Sequence, residues 1–256
     1  SNTVTSTIAL TALPDVPVVA GLGTANFTEN GAAVALAGGL TVTDPDDSQL
    51  IGAVVSISAN FRSGDTLHFT DQSGITGSYD GATGLLTLTG TATLANYQTA
   101  LRSITFSSTS DDPTANTTAT SRTLHWTVTD ANSDAAGTQS SADKTSTLTV
   151  IPAQDSPLMT AGGTLNYTEN AAAAVIDATV VVSADADDTQ MAGATVRLSA
   201  GFTTGDILAF TDHSGITGSY NALTGVLTLS GNATLANYTA ALQSVRFHST
   251  SDDPTA

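Results

Sequence analysis

Several stretches of this sequence occur twice, about 140 residues apart, and that duplication limits the available folds more than any other feature. Gly64–Gly90 (GDTLHFTDQSGITGSYDGATGLLTLTG) returns as Gly205–Gly231 (GDILAFTDHSGITGSYNALTGVLTLSG). Phe27–Ala33 (FTENGAA) returns as Tyr167–Ala173 (YTENAAA), and TLANY stands at Thr93–Tyr97 and again at Thr234–Tyr238. Such a period exceeds the roughly 20–50 residues of a stacked solenoid unit, so each copy is a domain. The ends keep the same register, because Ser6–Pro17 (STIALTALPDVP) matches Ser146–Pro157 (STLTVIPAQDSP). Residues 1–13 are therefore expected to be the last strand of a preceding copy, 14–153 a complete copy, and 154–256 a second copy truncated before its last two strands. The chain reads as an excised piece of a longer string of beads.

Within a copy the segments are short, alternating and rich in Thr, Val, Ile and Leu: TLHFT, LLTLTG, SITFSS, TLHWTVTD and STLTVI. Strands are expected near 24–27, 34–43, 54–59, 104–107, 123–129 and 146–151. Tyr79–Gly84 (YDGATG) and Tyr220–Gly225 (YNALTG) read as hairpin turns. TLANYQTALRS has helical spacing instead, with Leu94, Tyr97 and Leu101 on one face and Thr93 placed to cap it. The expected fold is all-β: tandem Ig-like antiparallel β-sandwich domains with one short helix per repeat. Trp126, and the tyrosines that recur in register (Tyr79 with Tyr220, Tyr97 with Tyr238), are expected in the core.

Composition removes several function classes. Against 23 Asp and Glu stand only 6 Lys and Arg, a net charge of −17, which repels nucleic acid and anionic membranes. Disorder is disfavoured, since 40% of residues are apolar and only 11% charged. The absence of Cys excludes disulfides, thiolate metal sites and cysteine catalysis. No apolar run approaches the roughly 20 residues of a membrane span. The histidines do not recur between copies: His68 aligns with Ala209, His213 with Gln72, His248 with Ser107, and His125 has no counterpart. Without a phosphate loop, a zinc spacing or a nucleophile motif, no enzyme is expected.

The acids, in contrast, are clustered. With strands running alternately up and down, Glu29 and Asp111 fall at the bottom of the first copy, next to the linker acid Asp155. Asp44, Asp46, Asp47 and Asp130 fall at its top, next to the linker acid Asp15. Asp185 and Asp187 are the top acids of the second copy, and Glu169 is its counterpart of Glu29. Carboxylates so grouped repel unless a cation lies among them. Hard oxygen donors without His or Cys suit Ca²⁺, which takes about six to eight of them, better than Mg²⁺. The expected sites are a junction set of Glu29, Asp111, Asp155, Asp185 and Asp187, and a top set of Asp44, Asp46, Asp130 and Asp15, with Glu169 a further candidate. Plain turn chemistry of Asp, Asn, Gly and Pro is the rival account.

TENG and TENA, the DPDD and DADD clusters, TDAN, and the Asp-x-Pro linkers PDVP and QDSP resemble the cadherin-like repeats of very large bacterial surface proteins, the outer-membrane adhesins and biofilm-associated proteins. The likeness spans nearly the whole chain, although the linkers are short and DDP replaces the acidic-aromatic motif of animal cadherins. It implies a cadherin-like sandwich and an extracellular, calcium-rigidified spacer or adhesion module on the outer cell surface. The partners implied are neighbouring repeats of the same chain, then glycans or proteins of host or bacterial surfaces. Head-to-tail strand exchange between molecules is a further expectation, since Thr3–Thr11 lacks a domain of its own. A carbohydrate- or ligand-binding module is the alternative, and it would require an exposed aromatic platform that 5% aromatic content does little to supply.

Overall fold

The computed structural model describes residues 2–11, 13–133, 135–183 and 188–252. The chain divides into two compact units, Ser1–Ala153 and Gln154–Ala256.

The first unit contains β1 (Val18–Ala20), β2 (Thr24–Thr28), β3 (Val34–Ala35), β4 (Thr41–Thr43), β5 (Gln49–Ala59) and β6 (Asp65–His68). It continues with β7 (Thr76–Asp80), β8 (Leu85–Thr93), α1 (Leu94–Arg102), β9 (Thr105–Ser108), β10 (Ser121–Asp130) and β11 (Lys144–Ile151). One face of the sandwich is a six-stranded sheet in the order β2-β11-β10-β5-β8-β7. The other is formed by β3-β9-β6 and the pair β1-β4. Every pairing is antiparallel except β2 with β11, which run parallel from Thr24 beside Thr147 to Thr28 beside Ile151.

Alternation fixes which face each strand buries. On β10, Arg122, Leu124, Trp126, Val128 and Asp130 point inward, while the residues between them are half-exposed. Trp126 finds its hydrogen-bond acceptor in the Ser146 hydroxyl, 2.8 Å away. Phe27 packs edge-on against Phe106 at 5.2 Å between ring centres. Tyr97 is fully buried, with its hydroxyl donating to the Gly90 carbonyl at 2.6 Å; Tyr238 does the same to Gly231, also at 2.6 Å. Both of those glycines have positive φ, and a Cβ on Gly90 would lie 2.1 Å from the Gly74 carbonyl oxygen. Thus the repeated GITG and LTLTG/LTLSG segments fold as one interlocked turn.

The second unit contains β12 (Leu158–Thr160), β13 (Ala174–Val175), β14 (Val181–Ser183), β15 (Gln190–Arg197) and β16 (Asp206–Ala209). It ends with β17 (Thr217–Asn221), β18 (Val226–Thr234), α2 (Leu235–Ser244) and β19 (Arg246–Ser249). Its sheets are β15-β18-β17, β13-β19-β16 and the pair β12-β14.

The helix of each unit starts where the sequence places it. Thr93 and Thr234 accept the N–H of Asn96 and Asn237, each at 3.2 Å. The expected single strand over 34–43 is a correction: it is two strands in different sheets, β3 pairing with β9 and β4 with β1. Gly38-Gly39 break it, and the turn closed by Leu40 N–H on the Ala37 carbonyl lets Leu36 and Leu40 both enter the core. The segment 54–59 is longer than expected, forming the eleven-residue β5. Residues 2–11 lie in no strand, and Ile8 and Leu10, which align with the buried Leu148 and Val150, are 83% and 93% exposed.

Candidate metal centre

β4 delivers the chain into Asp44-Pro45-Asp46-Asp47, a turn built around one carboxylate. Asp44 Oδ1 accepts the N–H groups of Asp46 and Asp47 at 3.2 and 3.0 Å, the self-closing turn that Asp favours. Asp46 Oδ2 accepts the N–H of Asp15 at 2.8 Å, tying the segment ahead of β1 to this loop. Asp47 Oδ1 accepts both the N–H and the hydroxyl of Ser133, from the loop after β10. That loop is fixed a second time by Ala131 N–H on the Gln49 carbonyl, at 3.0 Å. Three separate stretches of chain therefore converge on three acids.

Each acid keeps one oxygen in reserve. Asp44 Oδ2, Asp46 Oδ1 and Asp47 Oδ2 are buried and accept no hydrogen bond among the described residues, and Asp47 as a whole is 3% exposed. One carboxylate oxygen from each of the three residues lies within 4.8 Å of the others. Among the described residues no Lys or Arg pairs with them. Buried, mutually repelling oxygens without a donor are costly. The charges respond as crowded carboxylates do. Burial pushes the Asp44 carboxyl upward against the pull of the N–H groups it accepts. The N–H of Asp15 chiefly holds Asp46 below the ordinary range. Three hard oxygens with no His nearby fit a divalent calcium ion, whose remaining positions carbonyls and water can fill.

The other expected ligands have distinct surroundings. Asp130 is fully buried, but its oxygens accept Asn132 N–H at 3.2 Å and Gln139 N–H at 2.8 Å, closing its own loop. Asp15 is exposed and contributes its backbone. Glu29 is 3% exposed, and its Oε2 accepts the Ala153 N–H at 2.9 Å where the chain leaves β11. Asp111 is exposed, while its neighbour Asp112 accepts the backbone N–H of Asn116 at 2.9 Å. Glu169 is exposed and accepts from the Asn170 side chain at 3.2 Å. Asp155 borders a shallow depression in the second unit with Gln154, Pro157 and Asp188. Asp185 and Asp187 lie outside the described residues.

Asp47 is the ligand candidate that the sequence reading passed over. The signal was present, since DPDD offers three acids in four positions and the loop uses all three. Asp188, the acid of DADD that aligns with Asp47, accepts from Gln154 Nε2 at 2.6 Å and lines the same depression as Asp155.

No family profile matches this chain. Over 116 residues it is 34% identical to Halomucin of Haloquadratum walsbyi, a stretch that covers 43% of this chain and 1% of that protein. Among solved structures, mouse clustered PcdhgC3 EC1-3 is similar at a TM-score of 0.27 and 15% identity, covering 87% of this chain and 58% of that one. The protocadherin gamma B7 extracellular cadherin domains 1-4 give a TM-score of 0.29 at 13% identity, with 86% and 41% covered. The chain thus spans less than two thirds of each of these three proteins.

Proposed function

We propose that this chain is a calcium-rigidified structural and adhesive repeat module of a large extracellular protein of the bacterial surface-adhesin type, non-catalytic and acting in cell adhesion or biofilm formation. The observation that carries this reading is the set of reserved oxygens on Asp44, Asp46 and Asp47, together with the Asp15 N–H bond to the same loop. An ion held there would neutralise the cluster and stiffen the linker ahead of the sandwich, because Asp46 contacts both. The duplication supports the reading, since one bead follows another along a single chain. The local likeness to part of Halomucin is compatible with an origin in a very long protein. Glu29, Asp111, Asp130, Asp155, Asp185, Asp187 and Glu169 are the further acids through which other ions would act.

Titration calorimetry with Ca²⁺ tests the assignment. Saturable binding that loses one site in the Asp44→Asn, Asp47→Asn double variant is the expected result. Small-angle scattering should show a longer and narrower distance distribution in calcium than in chelator. Absence of binding, or binding indifferent to the double variant, would overturn the assignment of this loop.

A further inference from the structure

The two copies read almost alike along Gly64–Gly90 and Gly205–Gly231, so clustered differences between them stand out. In the second unit a groove of about 280 Å³ lies at the end of β16, lined by Ala209, Phe210, Thr211, His213, Ser244 and Arg246. Phe210, Thr211 and Ser244 repeat Phe69, Thr70 and Ser103, whereas Ala209, His213 and Arg246 replace His68, Gln72 and Thr105. All three replacements act on one hollow. In the first unit His68 Nε2 lies 2.7 Å from the Ser107 hydroxyl, and Gln72 Nε2 donates to the Ser103 hydroxyl at 2.8 Å. Ala209 takes the ring of position 68 away, and Arg246, directly across the ladder from it, sets a guanidinium where Thr105 has a hydroxyl. The six counterparts in the first unit, where β10 and β11 are in place, are all exposed or half-exposed. The groove therefore belongs to an outer face that a complete sandwich leaves open.

Its aromatic wall is held in place by close packing. A Cβ on Gly218 would lie 2.6 Å from Phe210 Cδ1, so the missing side chain lets the phenyl ring rest against β17. His213 packs on that ring at 5.2 Å between centres and 39° between planes. The His213 backbone exchanges hydrogen bonds with Ile216 at 3.1 and 2.9 Å, and its Nε2 lies 3.3 Å from the Ser244 hydroxyl. Arg246 Nη1 donates to the Ala173 carbonyl at 3.2 Å, and among the described residues no carboxylate pairs with this guanidinium. Asp212, the acid next to His213 in sequence, is engaged by the Gly218 N–H at 2.9 Å. A planar cation suits a carboxylate. The half-exposed Phe210 and His213 rings suit the C–H face of a sugar, and Thr211, His213 and Ser244 suit its hydroxyls. The net charge of −17 works against polyanions, which leaves a single acidic sugar as the fitting class. Beyond about 8 Å at physiological salt that repulsion is screened, so one local arginine suffices to hold one carboxylate.

We infer that this groove binds a terminal acidic monosaccharide, with its carboxylate on Arg246 and its ring over Phe210 and His213. The site is particular to the second copy, so beads that share a fold differ in what they hold. The inference is independent of any cation at the Asp44 loop.

The test is a titration of the full, isotope-labelled chain, in chelator throughout, with the methyl glycosides of N-acetylneuraminic acid and of glucuronic acid. Amide chemical shifts are the readout. Saturable shifts at residues 209–213 and 246 are expected with at least one of the two sugars. Methyl glucoside, which lacks the carboxylate, and acetate, which lacks the ring, should each bind about tenfold more weakly or worse, as losing a charge-assisted hydrogen bond or the ring contact implies. Arg246→Thr and Ala209→His each install the residue of the first copy, so the fold already accommodates both. Either change should weaken binding of the acidic sugar by about tenfold or more. No saturable shift with either acidic sugar would overturn the inference. So would an unchanged affinity in Arg246→Thr, equal binding of methyl glucoside, or equal binding of acetate, which would reduce the site to a bare anion contact.

Discussion

The two units share turns, helix caps and tyrosine anchors, yet they differ in how their interiors are closed. In the first, β5 lies between β8 and β10, Trp126 fills the centre, and Asp65 is neutralised by Arg122. In the second, the same turn geometry surrounds Asp206, but among the described residues no cation meets the carboxylate and β15 pairs only with β18. Phe27 is fully buried, while its counterpart Tyr167 is half-exposed despite keeping the edge-on contact, at 5.0 Å with Phe247. Local sequence is therefore enough to build hairpins and the helix. Closing the core takes residues that lie far away along the chain.

The sharpest way to break this contrast is to open the first unit. Arg122→Gln strands a buried carboxylate, a loss of about 3–5 kcal/mol for a severed buried pair. Scanning calorimetry of the parent should show two transitions, the lower from the second unit. In the variant the upper transition should move down toward the lower one, and an unmoved upper transition would refute the role given to the pair. Calcium acts on the contrast from the other side. At a hundredfold excess over Kd it should stabilise the first unit by about 2.7 kcal/mol. Asp44→Asn with Asp47→Asn should cancel that shift while leaving the chelator melt of the second unit unchanged.

Smaller changes test what the units share. Thr93→Ala and Thr234→Ala each remove an N-cap acceptor and should each cost about 1 kcal/mol, read as matched shifts in the two transitions. Unequal losses would mean that one helix depends on more than its own cap. The smallest effect separates the units by pH. Asp177, which stands where the first unit has Ala37, is held well below the usual carboxylate range, first by the Thr179 hydroxyl and then by the N–H groups of Gly162, Gly163 and Thr179. Its contribution is complete above the unfolded value of about 3.9 and is lost as pH falls through the lower folded one. Asp177→Asn should flatten the acid limb of the second transition only.

What could be read from the sequence followed the range of the interactions. Strand alternation, the YDGATG hairpin and the Thr93 cap are settled by neighbours a few residues apart, and all are visible in the letters. The switch of 34–43 from one sheet to the other was not, because Leu36 and Leu40 both look like positions of one alternating strand. Only the tertiary demand to bury both across Gly38-Gly39 separates them. The Arg122–Asp65 pair spans 57 residues and involves an acid with no acidic neighbour, so no motif marks it. Asp47 was legible within DPDD, but its tie to Ser133 lies 86 residues away, and that contact sets its orientation.

The parallel pairing of β2 with β11 has a mechanical consequence. The strand near the start of the first unit and the strand at its end lie side by side and point the same way. Tension applied to the two ends of this unit would drag them in opposite directions along their common axis. The bonds across them, including Glu29 N–H to the Ile151 carbonyl at 2.9 Å, would then be loaded in shear together rather than peeled one at a time. Glu29 adds a side-chain latch on Ala153 at the point where force enters. Under load, endurance is a matter of rupture rate rather than equilibrium stability.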